Sequence, residues 1–265
     1  MFSKHCPSSE TLGRNPTGET PQTSLSVFRK IRDWTLDLLF PRFCAGCKKE
    51  GFFICPKCLE KIPRQKSVSC FFCQKRLSGG LICLKCKEKY HLKIDGIFVA
   101  ADWSSHLLRE LIYLYKYSFI KELATPLSKL MIDFWQTNQL TNWLTDQLIL
   151  VPIPLFKRRL IWRGFNQAEI LAETFGNKFG IELKEILERP RATFPQMEIK
   201  DKKTRQENVS GAFKIKTEFL NLNLKNKTVI LIDDVSTTGA TLLECAKVLK
   251  TLKPKRVFGL VVARG

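Results

Sequence analysis

The sequence has no apolar run approaching the roughly 18 residues that a membrane-spanning helix needs. Its first residues carry no apolar core of the kind an export signal uses. A cytoplasmic protein is therefore the expectation, with no transmembrane segment. Histidine is scarce, three in 265 residues. His91 and His106 form no acid–base constellation, and each reads as structural. Acidic side chains are short as well: 25 Asp and Glu against 44 Lys and Arg leave a net charge of +19. The excess is about twice as dense over residues 1–95 as over the remainder. Such a surface attracts polyanions, nucleic acid first among them. Hydrophobic content of 44% is that of an ordinary globular chain, and the length suits one or two domains.

Cysteine is what the sequence does have, ten in all. Eight fall in turns of one spacing: Cys44-x2-Cys47, Cys55-x2-Cys58, Cys70-x2-Cys73 and Cys83-x2-Cys86. Without an export signal this pattern argues for metal rather than disulfides. A Cys-x2-Cys turn presents two thiolates to one tetrahedral ion, and two turns close a four-sulfur site. Two structural Zn²⁺ sites are expected, with no ligand position left open for catalysis. Sequential pairing closes the shortest loops, while interleaved pairing stays open on spacing alone. Phe43, Phe52, Phe53, Phe71 and Phe72 alternate here with lysines and arginines. That mixture suits single-stranded nucleic acid, where bases stack and phosphates pair. The plainer reading makes these rings the small cores of two metal ribbons. Cys6 and His5 stand alone and read as incidental, and Cys245 reads as a core residue.

Three regions follow. Residues 1–26, rich in Ser, Thr, Pro and Gly, are expected to be a disordered tail. Residues 27–94 hold an amphipathic helix, from about Leu25 to Phe40, and then the cysteine region. The helix suits packing on a neighbouring domain. Its basic end (Arg29, Lys30, Arg32) leaves peripheral contact with a membrane surface open. Residues 95–265 alternate strands with helices, which predicts a parallel sheet flanked by helices. Strands are expected at Gly96–Ala101, Gln147–Val151, Thr228–Ile232 and Arg256–Ala263. Helices are expected around Leu107–Tyr115, Ile120–Trp135, Gln167–Phe179 and Thr241–Leu252. Residues 189–210 are charged and aperiodic, and read as a mobile loop over a site.

The chain is organised around Thr228-Val229-Ile230-Leu231-Ile232-Asp233-Asp234-Val235-Ser236-Thr237-Thr238-Gly239-Ala240-Thr241. A buried strand runs into two carboxylates, then a Thr/Gly turn, then a helix. Ligands of open α/β sheets sit beyond such strand ends. The free N–H groups at the helix start suit a phosphate, and the carboxylates suit sugar hydroxyls or a divalent metal.

This stretch resembles the signature of type I phosphoribosyltransferases, which bind phosphoribosyl pyrophosphate (PRPP). Val151-Pro152-Ile153-Pro154, Arg163-Gly164-Phe165-Asn166-Gln167 and the run from Arg205 through Asn208 to Gly211-Ala212-Phe213 resemble the ComF family in particular. So does Pro41 followed by Cys44-x2-Cys47. The resemblance spans about residues 27–265. It implies a type I phosphoribosyltransferase-like sheet preceded by a small double zinc ribbon. By resemblance, Asp233 and Asp234 hold the ribose hydroxyls. Thr237, Thr238, Gly239, Ala240 and Thr241 wrap the 5′-phosphate, and Ser236 belongs to the same PRPP-binding stretch. Ser236 departs from the general signature, which favours an aliphatic residue there. Arg158, Arg159 and Arg163 are candidate pyrophosphate contacts, with Mg²⁺ bound alongside PRPP. No acceptor pocket is legible, so catalytic residues are not assigned. The resemblance implies a protein that binds PRPP and single-stranded DNA and works with the DNA-uptake machinery in natural transformation, the basic ribbons being its DNA surface. The alternatives are a pyrophosphate-releasing transferase with a nitrogen acceptor, and a PRPP sensor.

Overall fold

A computed structural model describes residues 41–77, 81–144, 146–193 and 202–265. The tail at 1–26 and the helix expected at 25–40 lie outside the described residues. Residues 43–265 form one compact unit. Its elements in chain order are α1 (Pro56–Glu60), α2 (Leu84–Lys89), β1 (Gly96–Ala101), α3 (His106–Tyr117), α4 (Ala124–Thr137), α5 (Leu140–Trp143), β2 (Gln147–Pro152), α6 (Lys157–Arg163), α7 (Gln167–Phe179), β3 (Glu182–Leu183), β4 (Leu187–Glu188), α8 (Lys202–Val209), β5 (Lys214–Ile215), β6 (Lys227–Ser236), α9 (Ala240–Leu249) and β7 (Arg256–Arg264).

Five strands make one sheet in the order β1-β7-β6-β2-β3, and every pairing is parallel. A parallel strand buried on both faces needs a continuous apolar run. β6 and β7, at the centre, have one: Val229–Ile232 and Val257–Ala263 are fully shielded from solvent. Leu171 and Phe175 of α7 join α3 and α4 on one face of the sheet, where Trp135 meets Phe175 edge-on at 5.3 Å. Leu242, Cys245 and Leu249 of α9 cover the other. α7, between β2 and β3, and α9, after β6, thus lie on opposite faces. A crevice opens between neighbouring strands whose helices diverge in this way.

The cysteine region extends both cores. Cys44, Cys55, Cys58 and Ile62 pack with Phe98 and Leu108, whereas Cys70, Phe71 and Cys86 pack with Ile97 and Ala240. The fivefold alternation of rings and cations therefore splits. Phe71 is buried, while Phe43 and Phe52 remain exposed. Isolated antiparallel bridges, Arg64 to Ala101 and Leu81 to Gly96, lay the ribbons along β1, the edge strand.

Residues 189–210 differ from the expected aperiodic loop, for their second half is α8. This helix has almost no apolar residues, so no hydrophobic period announced it. Val209 is buried, and Glu244 of α9 accepts a hydrogen bond from Gly211 N at 2.8 Å. The two-residue strands β3, β4 and β5 are too short to alternate visibly. Among the described residues no helix is long and apolar enough to cross a membrane.

Candidate functional site

A cleft of about 720 Å³ opens at the carboxyl ends of β2 and β6, a volume typical of small-molecule sites. Asp233 and Asp234 form its floor. Their backbone is fixed by their own carboxylates: Asp233 Oδ1 accepts from Asp234 N at 2.9 Å, and Asp234 Oδ1 from Val235 N at 2.6 Å. From the last turn of α3, Lys116 Nζ reaches Asp234 Oδ1 at 2.9 Å. Burial, reinforced by the neighbouring Asp234 charge, pushes the Asp233 carboxyl up to about 8, with Lys116 opposing the shift. The pair therefore carries less than two negative charges until a cation or a donor-rich ligand joins it.

After Ser236 the chain turns through Thr237, Thr238 and Gly239 into α9. Gly239 sits at φ +82°, a conformation that L side chains rarely adopt. Its backbone lies against the second ribbon, since a Cβ there would meet Phe71 Cε1 at 3.3 Å and Phe72 Cζ at 3.7 Å. Thr238 Oγ1 accepts from Ala240 N at 3.4 Å. Thr237 and Thr241 line the cleft, whereas Ser236, Thr238, Gly239 and Ala240 are not among the residues of its wall.

The arginines divide. Arg159 and Arg163 line the cleft and Arg158 does not. Helix α6 explains this: positions 159 and 163 are one turn apart and share a face, while 158 points about 100° away. Burial pushes the Arg163 guanidinium down from the usual arginine range, against the pull of Asp234. The same happens at Arg189, where burial and then the nearby Arg159 both act downward.

Several wall residues had no sequence signal of their own. Lys116, Arg189, Trp103, Tyr113 and Tyr117 come from scattered parts of the chain, and His106, read as structural, also lines the cleft, as does Gln167 of the Arg163–Gln167 motif. Asn166, from the same motif, is the N-cap of α7. Its side chain accepts from Ala168 N at 3.2 Å and donates to Ile153 O at 3.2 Å, tying α7 to the loop after β2. Four buried polar atoms of this wall lack a partner: Asp234 Oδ2, Arg163 Nε, Arg189 Nε and Gln167 Nε2. Unsatisfied buried polar atoms are costly and uncommon in native proteins. Lys116, Arg159, Arg163 and Arg189 set against Asp233 and Asp234 in one wall fit an anionic ligand that also carries hydroxyls or a metal ion.

The cysteines gather in two sequential sets, Cys44, Cys47, Cys55, Cys58 and Cys70, Cys73, Cys83, Cys86, each with its sulfurs within 4.8 Å of one another. Cys47 Sγ to Cys55 Sγ and Cys73 Sγ to Cys83 Sγ are both 3.6 Å. A tetrahedral zinc with bonds of about 2.3 Å spaces its sulfurs by about 3.8 Å. Burial raises Cys44, yet the N–H groups of Cys55, Cys47 and Gly46 outweigh it and bring the thiol to about 6. Burial and the adjacent thiols push Cys58 to about 12. Cys70 and Cys86 repeat the pattern at about 7 and about 12. Four sulfurs this close ionise together only around a cation, which is the property of a metal site.

With this geometry in hand, the known proteins it resembles can be named. Residues 168–264 match the phosphoribosyl transferase domain and residues 35–87 the double zinc ribbon domain. Competence protein F of Haemophilus influenzae is 28% identical over 229 residues, 80% of this chain and 97% of that protein. The DNA utilization protein YhgH of Escherichia coli is 32% identical over 170 residues, 64% of this chain and 71% of that protein. Competence protein ComFC of Bacillus subtilis is 27% identical over 211 residues, 74% of this chain and 77% of that protein.

Proposed function

This chain belongs to the ComF family, and from that footing we propose that it binds PRPP with Mg²⁺, and single-stranded DNA, as a cytoplasmic factor in DNA uptake. The observation that carries the PRPP reading is the single cleft wall that gathers Asp233, Asp234, Thr237, Thr241, Arg159, Arg163 and Arg189. Asp233 and Asp234 accept the ribose hydroxyls, as ionised carboxylates do well. The Thr237–Thr241 turn and the N-terminus of α9 take the 5′-phosphate. Arg159, Arg163 and Arg189 take the pyrophosphate. Asp233 and Asp234 are the hard oxygen ligands at hand for Mg²⁺, which would offset charge on the departing pyrophosphate. Zn²⁺ occupies each cysteine set as a structural ion. The names of the relatives, which refer to competence and DNA utilization, support the role in DNA uptake.

Calorimetry with PRPP and Mg²⁺ tests the site. The double variant Asp233→Ala/Asp234→Ala is expected to lose more than about 100-fold in affinity, two charge-assisted contacts being removed. Unchanged affinity in a folded variant would sink the assignment.

A second reading, a working transferase, draws on Trp103, Tyr113 and Tyr117 in the same wall. Flat aromatic faces beside the ribose site suit a planar nitrogen acceptor, which the cleft would hold against C1 of the sugar. Pyrophosphate release in an acceptor screen distinguishes turnover from binding.

A further inference from the structure

Helix α6, Lys-Arg-Arg-Leu-Ile-Trp-Arg, buries none of its residues. Ile161 is 72% exposed and Trp162 58%. Trp162 does have a neighbour: the ring of Phe119 meets it edge-on at 4.9 Å. Phe119 itself stands in the left-handed region at φ +57°, a strained state for a bulky residue. A second exposed pair lies on the last turns of α3, where Tyr113 and Tyr117 are 5.0 Å apart. Arg163 joins the two pairs, with its guanidinium 5.8 Å from the Tyr117 ring. Tyr113, Tyr117 and Arg163 also line the PRPP cleft, so this surface is the cleft's rim.

A protein does not leave four aromatic rings in contact with water, among cations, for the sake of its own core. Apolar contact alone would suit a lipid surface or another protein. Three features favour a strand of nucleic acid instead. The rings are paired and present faces on which bases stack. The cations are interleaved with the rings, as backbone phosphates are with bases. The rim also continues into a site shaped for a sugar bearing phosphates. The ribbons offer a smaller surface: Phe43 and Phe52 are exposed singly, with Lys49 6.0 Å from the Phe52 ring, Phe71 is buried under Arg264, and one pair, Tyr90 with the less exposed Phe72 at 5.7 Å, has Lys89 beside it.

We infer that single-stranded DNA docks on this rim, its bases stacking on Tyr113, Tyr117, Phe119 and Trp162 and its phosphates meeting Lys157 and Arg158, the exposed α6 cations outside the cleft wall. The inference rests on the reading that the protein binds single-stranded DNA, and moves the main contact from the ribbons to the mouth of the PRPP cleft. A strand held there lies next to whatever ligand occupies Asp233 and Asp234.

The test is fluorescence anisotropy with a labelled oligothymidylate of about 20 nucleotides, using the full chain. Loss of one stacking ring is expected to weaken binding roughly 5- to 100-fold. Trp162→Ala and Tyr113→Ala should each show it, and Trp162→Phe should recover most of it. Trp162 is outside the cleft wall, so PRPP affinity of Trp162→Ala should match the wild type. Wild-type DNA affinity in both alanine variants overturns the rim as the site, and loss in Lys49→Ala/Phe52→Ala would then return the strand to the ribbons. No binding by the wild-type chain would overturn the DNA-binding reading itself, and this inference with it. Capture by phosphatidylglycerol vesicles without oligonucleotide binding would assign the rim to a membrane surface and likewise overturn it.

Discussion

Asp233 holds its proton across a range of pH in which an ordinary aspartate is ionised. In the unfolded chain it titrates near 4, and in the folded protein near about 8. Between these values the folded chain binds the extra proton, so stability falls as pH rises through that window. Melting temperature without ligand should therefore decline from about pH 4 to about pH 8, and Asp233→Asn should remove part of the slope. PRPP affinity should move the opposite way, rising towards pH 8 as the carboxylate becomes able to accept two sugar hydroxyls. A pH-independent difference between wild type and variant would refute the shift. At this scale Asp233 and Asp234 were legible in the sequence because a strand, an acidic pair and a Thr/Gly turn are contiguous. Lys116 and Arg189 were not, because the fold brings them to the acidic pair from distant parts of the chain. Arg158 parts from Arg159 and Arg163 for a different reason. All three lie on α6, and a helix separates neighbours by about 100°.

The start of α9 is where an element carries a prediction. Gly239 both adopts φ +82° and lies 3.3 Å, measured to a notional Cβ, from Phe71. Gly239→Ala forces a left-handed alanine, costing about 1–2 kcal/mol, and asks a buried ring to yield as well. Chemical denaturation should show that loss, and calorimetry a weaker grip on PRPP, since the N–H groups of the turn shift with it. Wild-type values in both measurements would show that the turn tolerates a side chain. Elements with a strong hydrophobic signal were legible: α7 spans Gln167–Phe179 as expected, and β6 and β7 follow their apolar runs. α8 was not, because it lies against α9 without an apolar stripe of its own. The aromatic wall escaped notice because Tyr113 and Tyr117 fall among the apolar residues of α3. Only the packing of Leu108, Leu111, Ile112 and Tyr115 shows which face is left outside.

At the scale of the whole molecule the cysteine ribbons are part of the phosphoribosyl-type body. Each contributes to one of the two cores, and the second one supports Gly239 through Phe71 and Phe72. Metal content and ligand binding should therefore be linked. Elemental analysis is expected to give two zinc ions per chain. Chelation, or Cys86→Ser, should lower both melting temperature and PRPP affinity, though no sulfur lies in the cleft wall. PRPP affinity unaffected by zinc loss would break the link. The bridges at Gly96 and Ala101 add a consequence of another kind. They sit at the two ends of β1, the one long strand at an edge of the sheet. An uncovered edge recruits strands from other chains. By lying along β1 the ribbons act as guards against self-association. Metal-stripped protein should thus scatter light and pellet at concentrations where the zinc form stays monodisperse, so that the ribbons govern colloidal behaviour as well as ligand binding.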